Sequence, residues 1–131
     1  MSVRVKPCEK GMVSMLAEVF GQGLNNRVAV YIPGTRNVNQ ALDEGTIEQL
    51  RDRALRFLTE LFGGATAMSA FGAWYDETDT LVPEKVTIVY SFTPELTSDK
   101  VQALHKFVLE LKSELAQEAI SVEINGTLYF V

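Results

Sequence analysis

Two apolar segments rich in β-branched residues, 27–32 (RVAVYI) and 85–92 (KVTIVYSF), each lead into a long amphipathic stretch, and this pairing narrows the possible folds more than anything else in the chain. A run that is apolar nearly throughout reads as a strand buried on both faces. After the first run, Thr46 followed by Gln49 fits a capping box. Ile47, Leu50, Ala54, Phe57, Leu58, Leu61 and Phe62 then form one helical stripe, and Gly63-Gly64 supplies a left-handed cap. After the second run, Thr97 or Ser98 opens a helix whose stripe is Val101, Leu104, Val108, Leu111 and Leu115. Between the two units, residues 66–75 read as a weaker strand containing Gly72, and 76–80 as a turn. Ile120, Val122 and Ile124 alternate with polar residues. Asn125-Gly126 is a strong hairpin signal, and residues 127–131 return as a last strand.

The resulting order predicts an α+β, ferredoxin-like βαββαβ plait with a helix before it and a β-hairpin extension after it. The first and third strands should be central, with both long helices on one face because right-handed crossovers place them there. Residues 27–131 form the plait. Residues 1–26 form an irregular leader (1–10) and a short amphipathic helix from Gly11, with stripe Met12, Met15, Leu16, Val19 and Phe20. If Val28, Val30 and Ile32 point to the helices, then Ala29, Tyr31 and Val89 face away from them. That outer face is too apolar to stay wet, so either the N-terminal helix or a second copy should cover it, and a homodimer is expected.

Composition removes several functional classes. The 131 residues are 47% apolar with no run long enough to span a membrane, so no membrane partner is expected. The net charge of −5 divides into +1 for residues 1–60 and −6 for 61–131. No Lys/Arg cluster provides the footprint of a nucleic-acid binder, since Arg51, Arg53 and Arg56 alternate with Glu48, Asp52 and Glu60. One cysteine, Cys8, permits no intramolecular disulfide, and the expected compartment is the reducing cytoplasm. No phosphate-loop, dinucleotide or metal motif occurs, so neither cofactor nor metal is expected. His105, the only histidine, flanks the apolar stripe of its helix and reads as packing or solvated surface.

The plait topology nevertheless gathers one constellation. The C-terminal ends of its first two strands, the end of its second helix and the start of its fourth strand all lie at one end of the sheet. Tyr31, Arg36, Trp74, Glu84 and Gln117 are the ligand-binding candidates there, together with the 76–83 turn and Glu118. Glu84 is the one catalytic candidate, as a base. The simpler reading has Trp74 packing over the sheet edge, Glu84 pairing with Arg36 or Lys85, and Gln117 capping the helix.

At Gly72-Ala73-Trp74, Leu81-Val82-Pro83-Glu84 and Gln117-Glu118-Ala119-Ile120 the chain resembles a family of small bacterial proteins with no established activity. Their pattern is G-x-W, then hydrophobic-x-Glu, then Gln-Glu-small-hydrophobic. The resemblance spans about residues 27–131 and adds weight to Trp74, Glu84 and Gln117. Two functional expectations follow. The first is a binding or regulatory module acting through protein–protein contacts, of phage or mobile-element origin. The second is a small cofactor-free dimeric enzyme, an isomerase or oxygenase, with its site at the Trp74/Glu84/Gln117 end.

Overall fold

The computed structural model describes residues 7–37 and 40–131. Along the chain run α1 (Pro7–Phe20), β1 (Asn26–Pro33), β2 (Thr35–Arg36), β3 (Gln40–Ala41), α2 (Glu44–Phe62), β4 (Thr66–Tyr75), β5 (Leu81–Thr93), α3 (Ser98–Glu114), β6 (Ser121–Ile124) and β7 (Thr127–Phe130). The main sheet has the order β4-β5-β1-β6-β7, with every pairing antiparallel. This is the expected plait, with β1 and β5 central and β7 added beyond β6.

One core lies between the sheet and the two long helices. Val28, Val30, Ile32, Val89 and Val122 from the sheet meet Leu50, Ala54 and Leu58 of α2 and Leu104, Val108 and Leu111 of α3. Both helices therefore cover one face. Asp43 is the N-cap of α2, its carboxylate accepting from the Thr46 N–H at 2.7 Å. The expected Thr46/Gln49 capping box is thus displaced by three residues, because a carboxylate outcompetes a hydroxyl for the exposed amides of a first turn. Gly63 (φ 98°) ends α2 as predicted, and Thr97 caps α3. Asn125 and Gly126 both have positive φ, as a tight hairpin turn requires.

Four expectations are corrected. The N-terminal helix begins at Pro7 rather than Gly11, a natural first helical position for proline; the remaining leader, 1–6, lies outside the described residues. The third plait strand begins at Leu81 rather than Lys85, so residues 81–83 are strand rather than part of the turn. A small hairpin, β2–β3, follows β1 where no regular structure was foreseen. Finally, Val89 faces the helices, not away from them. It pairs directly with Val30, and paired residues in an antiparallel ladder share a face. The buried set on β5 is therefore Thr87, Val89, Ser91 and Thr93, while Ile88 and Tyr90 lie on the outer face. The buried hydroxyls are satisfied by backbone: Ser91 donates to the Gly64 carbonyl (2.7 Å) and Thr93 to that of Glu95 (3.2 Å).

Residues 11–25 are exposed throughout, so α1 does not cover the outer face of its own sheet.

Candidate active-site cleft at one end of the sheet

β4 and β5 extend past the end of β1 as a two-stranded ribbon, and the cleft forms where this ribbon meets the β1–β2 turn and the chain leaving α3. Trp74 pairs with Val82, and Gly72 with Glu84. Alternation puts Trp74, Val82 and Glu84 on one face, the face turned away from the helices. With glycine opposite it, the Glu84 carboxylate has no side chain across the ladder to cover it.

Gly34 brings the third wall into place. Its N–H donates to the Lys85 carbonyl at 2.9 Å, and a Cβ at this position would lie 2.5 Å from that oxygen. Only glycine allows this approach, which sets Thr35 beside Glu84. The Thr35 hydroxyl donates to Glu84 Oε1 at 3.2 Å.

The fourth wall comes from α3. Ala116 has a positive φ (48°), reversing the chain just past the helix and returning Gln117 toward β2. Gln117 Nε2 donates to the carbonyls of Thr35 and Asn37, both at 2.9 Å, with a longer contact to the Thr35 hydroxyl at 3.4 Å. Carbonyl oxygens can only accept, so this pattern fixes which end of the amide is nitrogen. Its donors are engaged, and its oxygen is the end suited to accept from a ligand. In return, the Asn37 N–H and the Arg36 guanidinium cap the last carbonyls of α3, at Leu115 (2.8 Å) and Glu114 (2.7 Å). A cation at a helix C-terminus also meets its dipole favourably. The loop and the helix end hold each other.

The result is a cleft of about 220 Å³ lined by Thr35, Trp74, Val82, Pro83, Glu84, Gln117, Glu118 and Ala119. Two carboxylates and no basic side chain line it, beside an indole that is 41% exposed. Among the described residues Glu84 has no ion pair, since Lys85 pairs with Glu44 (2.9 Å) and Arg36 with the α3 terminus. An acidic cleft with an open aromatic wall suits a cationic ligand carrying a flat ring.

Three of the five sequence candidates, Trp74, Glu84 and Gln117, therefore converge. Arg36 and Tyr31 do not line the cleft. Arg36 is occupied at the helix end. Tyr31 sits on the outer face, its hydroxyl donating to Glu123 (3.3 Å); burial and the neighbouring Glu123 charge raise its pKa. Thr35 was missed, because the close approach that positions it depends on strand register. His105 lies elsewhere, on the wall of an apolar groove beside α3.

No family model and no curated protein matches this chain. Among solved structures, it is similar to a phage SAM lyase in complex with S-methyl-5'-thioadenosine, with TM-score 0.62 and 17% identity over 84% of this chain and 91% of that one. It is also similar to a phage SAM lyase in the apo state, with TM-score 0.55 and 20% identity over 82% and 88%. At such identity the likeness establishes a shared plait-like α+β fold.

Proposed function

We propose that this chain is a small enzyme of the lyase type that acts on S-adenosylmethionine or a close sulfonium relative in the Trp74/Glu84/Gln117 cleft. The observation that carries this reading is the cleft's acidity beside an exposed indole, on a fold shared over 84% of this chain with a phage SAM lyase. S-adenosylmethionine carries a sulfonium and an ammonium cation together with a flat adenine. Glu84 and Glu118 supply the opposite charge, Trp74 a stacking face, and the Gln117 amide oxygen an acceptor for an N–H or O–H of the ligand.

The chemistry asks little of the protein. S-methyl-5'-thioadenosine keeps the methyl and the adenosyl group, so the bond to break is the one from sulfur to the aminocarboxypropyl chain. The bonding pair moves onto sulfur, turning a cationic leaving group into a neutral thioether. The carbon left behind gains a new pair either from the substrate's own carboxylate oxygen, closing a lactone, or from the neighbouring C–H bond, which becomes a C=C bond as Glu84 takes the proton. Positioning the chain and holding the cation next to fixed carboxylates are the protein's tasks. Phage origin belongs to the same reading.

The test is to incubate the purified chain with S-adenosylmethionine and follow S-methyl-5'-thioadenosine by chromatography. Product should accumulate well above the spontaneous rate. Glu84→Gln, which keeps an oxygen to accept from Thr35, should lower kcat/KM by roughly a hundredfold with little change in Tm. Product no faster than the uncatalysed background would refute the proposal.

A further inference from the structure

The Glu84 carboxylate has two oxygens, and the fold engages one of them. Among the described residues the Thr35 hydroxyl is the only side chain bonded to it, donating to Oε1 at 3.2 Å. A hydroxyl has one hydrogen, so this bond leaves the Thr35 oxygen free only to accept. The donor beside it is Gln117 Nε2, in a longer contact of 3.4 Å. The direction of that amide is set separately, by the carbonyls of Thr35 and Asn37 at 2.9 Å each. The three side chains therefore form one directed row, from the Gln117 N–H to the Thr35 oxygen and from the Thr35 O–H to Glu84.

Thr35 is built to hold that direction. On one side of it the Gly34 N–H donates to the Lys85 carbonyl at 2.9 Å, and on the other its own carbonyl accepts from Gln117. Its β-branched side chain then has few χ1 rotamers, which keeps the hydroxyl from swinging away. Glu84 is the opposite case. Gly72 lies across the ladder from it, so no side chain of β4 restricts the carboxylate, and its orientation is left to Thr35.

We infer that Thr35 is a positioning residue for Glu84: by engaging Oε1 it turns Oε2 toward the ligand. The inference rests on the lyase reading for the reaction that it serves, whereas the bond itself can be measured without a substrate. Loss of the hydroxyl leaves the negative charge in the cleft. Attraction to a cationic substrate varies only as the inverse of distance, so substrate binding should change little. Accepting a proton or a hydrogen bond at one atom depends on angle as well, so turnover should suffer more.

Kinetics of S-methyl-5'-thioadenosine formation by Thr35→Val, Thr35→Ser, Glu84→Ala and the Thr35→Val/Glu84→Ala pair test this. Valine keeps the shape and drops the hydroxyl, while serine keeps the hydroxyl. Thr35→Val should lower kcat about tenfold with KM within about twofold. Thr35→Ser should recover most of the lost rate. In the Glu84→Ala background, where nothing is left to orient, Thr35→Val should have no further effect. Full activity in Thr35→Val, a change in KM alone, an equal loss in Thr35→Ser, or the same tenfold loss without Glu84 would overturn the inference. Denaturant midpoints of the unaltered chain, the two single variants and the pair read the bond directly. The two changes should be non-additive, and additive midpoints would also overturn it. An unaltered chain that releases no product would end the lyase reading, and the midpoints would still decide for or against the hold of Thr35 on Glu84.

Discussion

The cleft and the groove sit in the same small plait and ask for different occupants. In the cleft, backbone carbonyls and side chains already satisfy one another, Gln117 bonding to the β2 loop and Arg36 to the end of α3, and what remains open is acceptor and negative charge. In the groove His105 and Tyr129 bring the only polar side chains, and most of what remains open is apolar surface. A site of the first kind selects a ligand by charge and hydrogen bonding, whereas one of the second kind is filled by any apolar stripe of the right length and shape. The contrast also separates two ways of building a concavity. Strand register and a glycine build the cleft, while a missing helix builds the groove.

The largest effect expected at the cleft comes from its glycine. Gly34→Ala forces a methyl against the Lys85 carbonyl and should cost about 1–3 kcal/mol of stability, seen as a lower denaturant midpoint with an unchanged slope. It should also move Thr35 away from Glu84 and so impair ligand binding beyond the loss of stability. Equal stability would mean that the close approach does not set the cleft wall. A smaller effect is expected at Gln117. Gln117→Ala removes the donor shared by the Thr35 and Asn37 carbonyls and should destabilise by about 1 kcal/mol, because both acceptors can turn to water. Ligand affinity should fall further than that, since the amide oxygen is lost as well.

The smallest effect is pH dependence, and it arises outside both regions. The Glu114 carboxyl is held below its usual pKa by the hydrogen bond from Arg53, Asp43 by the Thr46 amide, and Asp76 by Thr78 and Thr80. A lowered folded pKa means that the stabilisation is present above the unfolded value near ~4 and disappears as pH falls through the lower folded value. Tyr31 has the opposite sign: its raised pKa gives stability present below ~10 and lost as pH climbs past the folded value. Thermal melts should therefore be flat between these limbs. Replacing Asp43 by Asn should shrink the acid limb without altering the alkaline one.

The fold was largely legible because its signals are local. Two apolar strands, two striped helices and Asn125-Gly126 fix element order, and the handedness of crossovers then leaves few topologies. The same topology places Trp74, Glu84 and Gln117 at one end of the sheet. What alternation could not supply was which set of β5 residues faces the helices. Val86, Ile88, Tyr90 and Phe92 are the more apolar set, yet Thr87, Val89, Ser91 and Thr93 are buried, because the Val30–Val89 pairing decides the face and backbone carbonyls satisfy the hydroxyls. Thr35 was unreadable for a related reason, as its place depends on contact between residues far apart in the chain. Arg36 and Tyr31 were brought to the correct neighbourhood by topology, and their side chains then took partners at Glu114 and Glu123. For α1, periodicity showed the stripe, and the structure leaves it exposed.

The most direct test of the central claim is calorimetric titration of S-methyl-5'-thioadenosine into the intact chain and into Trp74→Ala. Saturable one-site binding that weakens roughly tenfold or more on loss of the indole is the predicted result. No heat above dilution, or an affinity indifferent to Trp74, would contradict it.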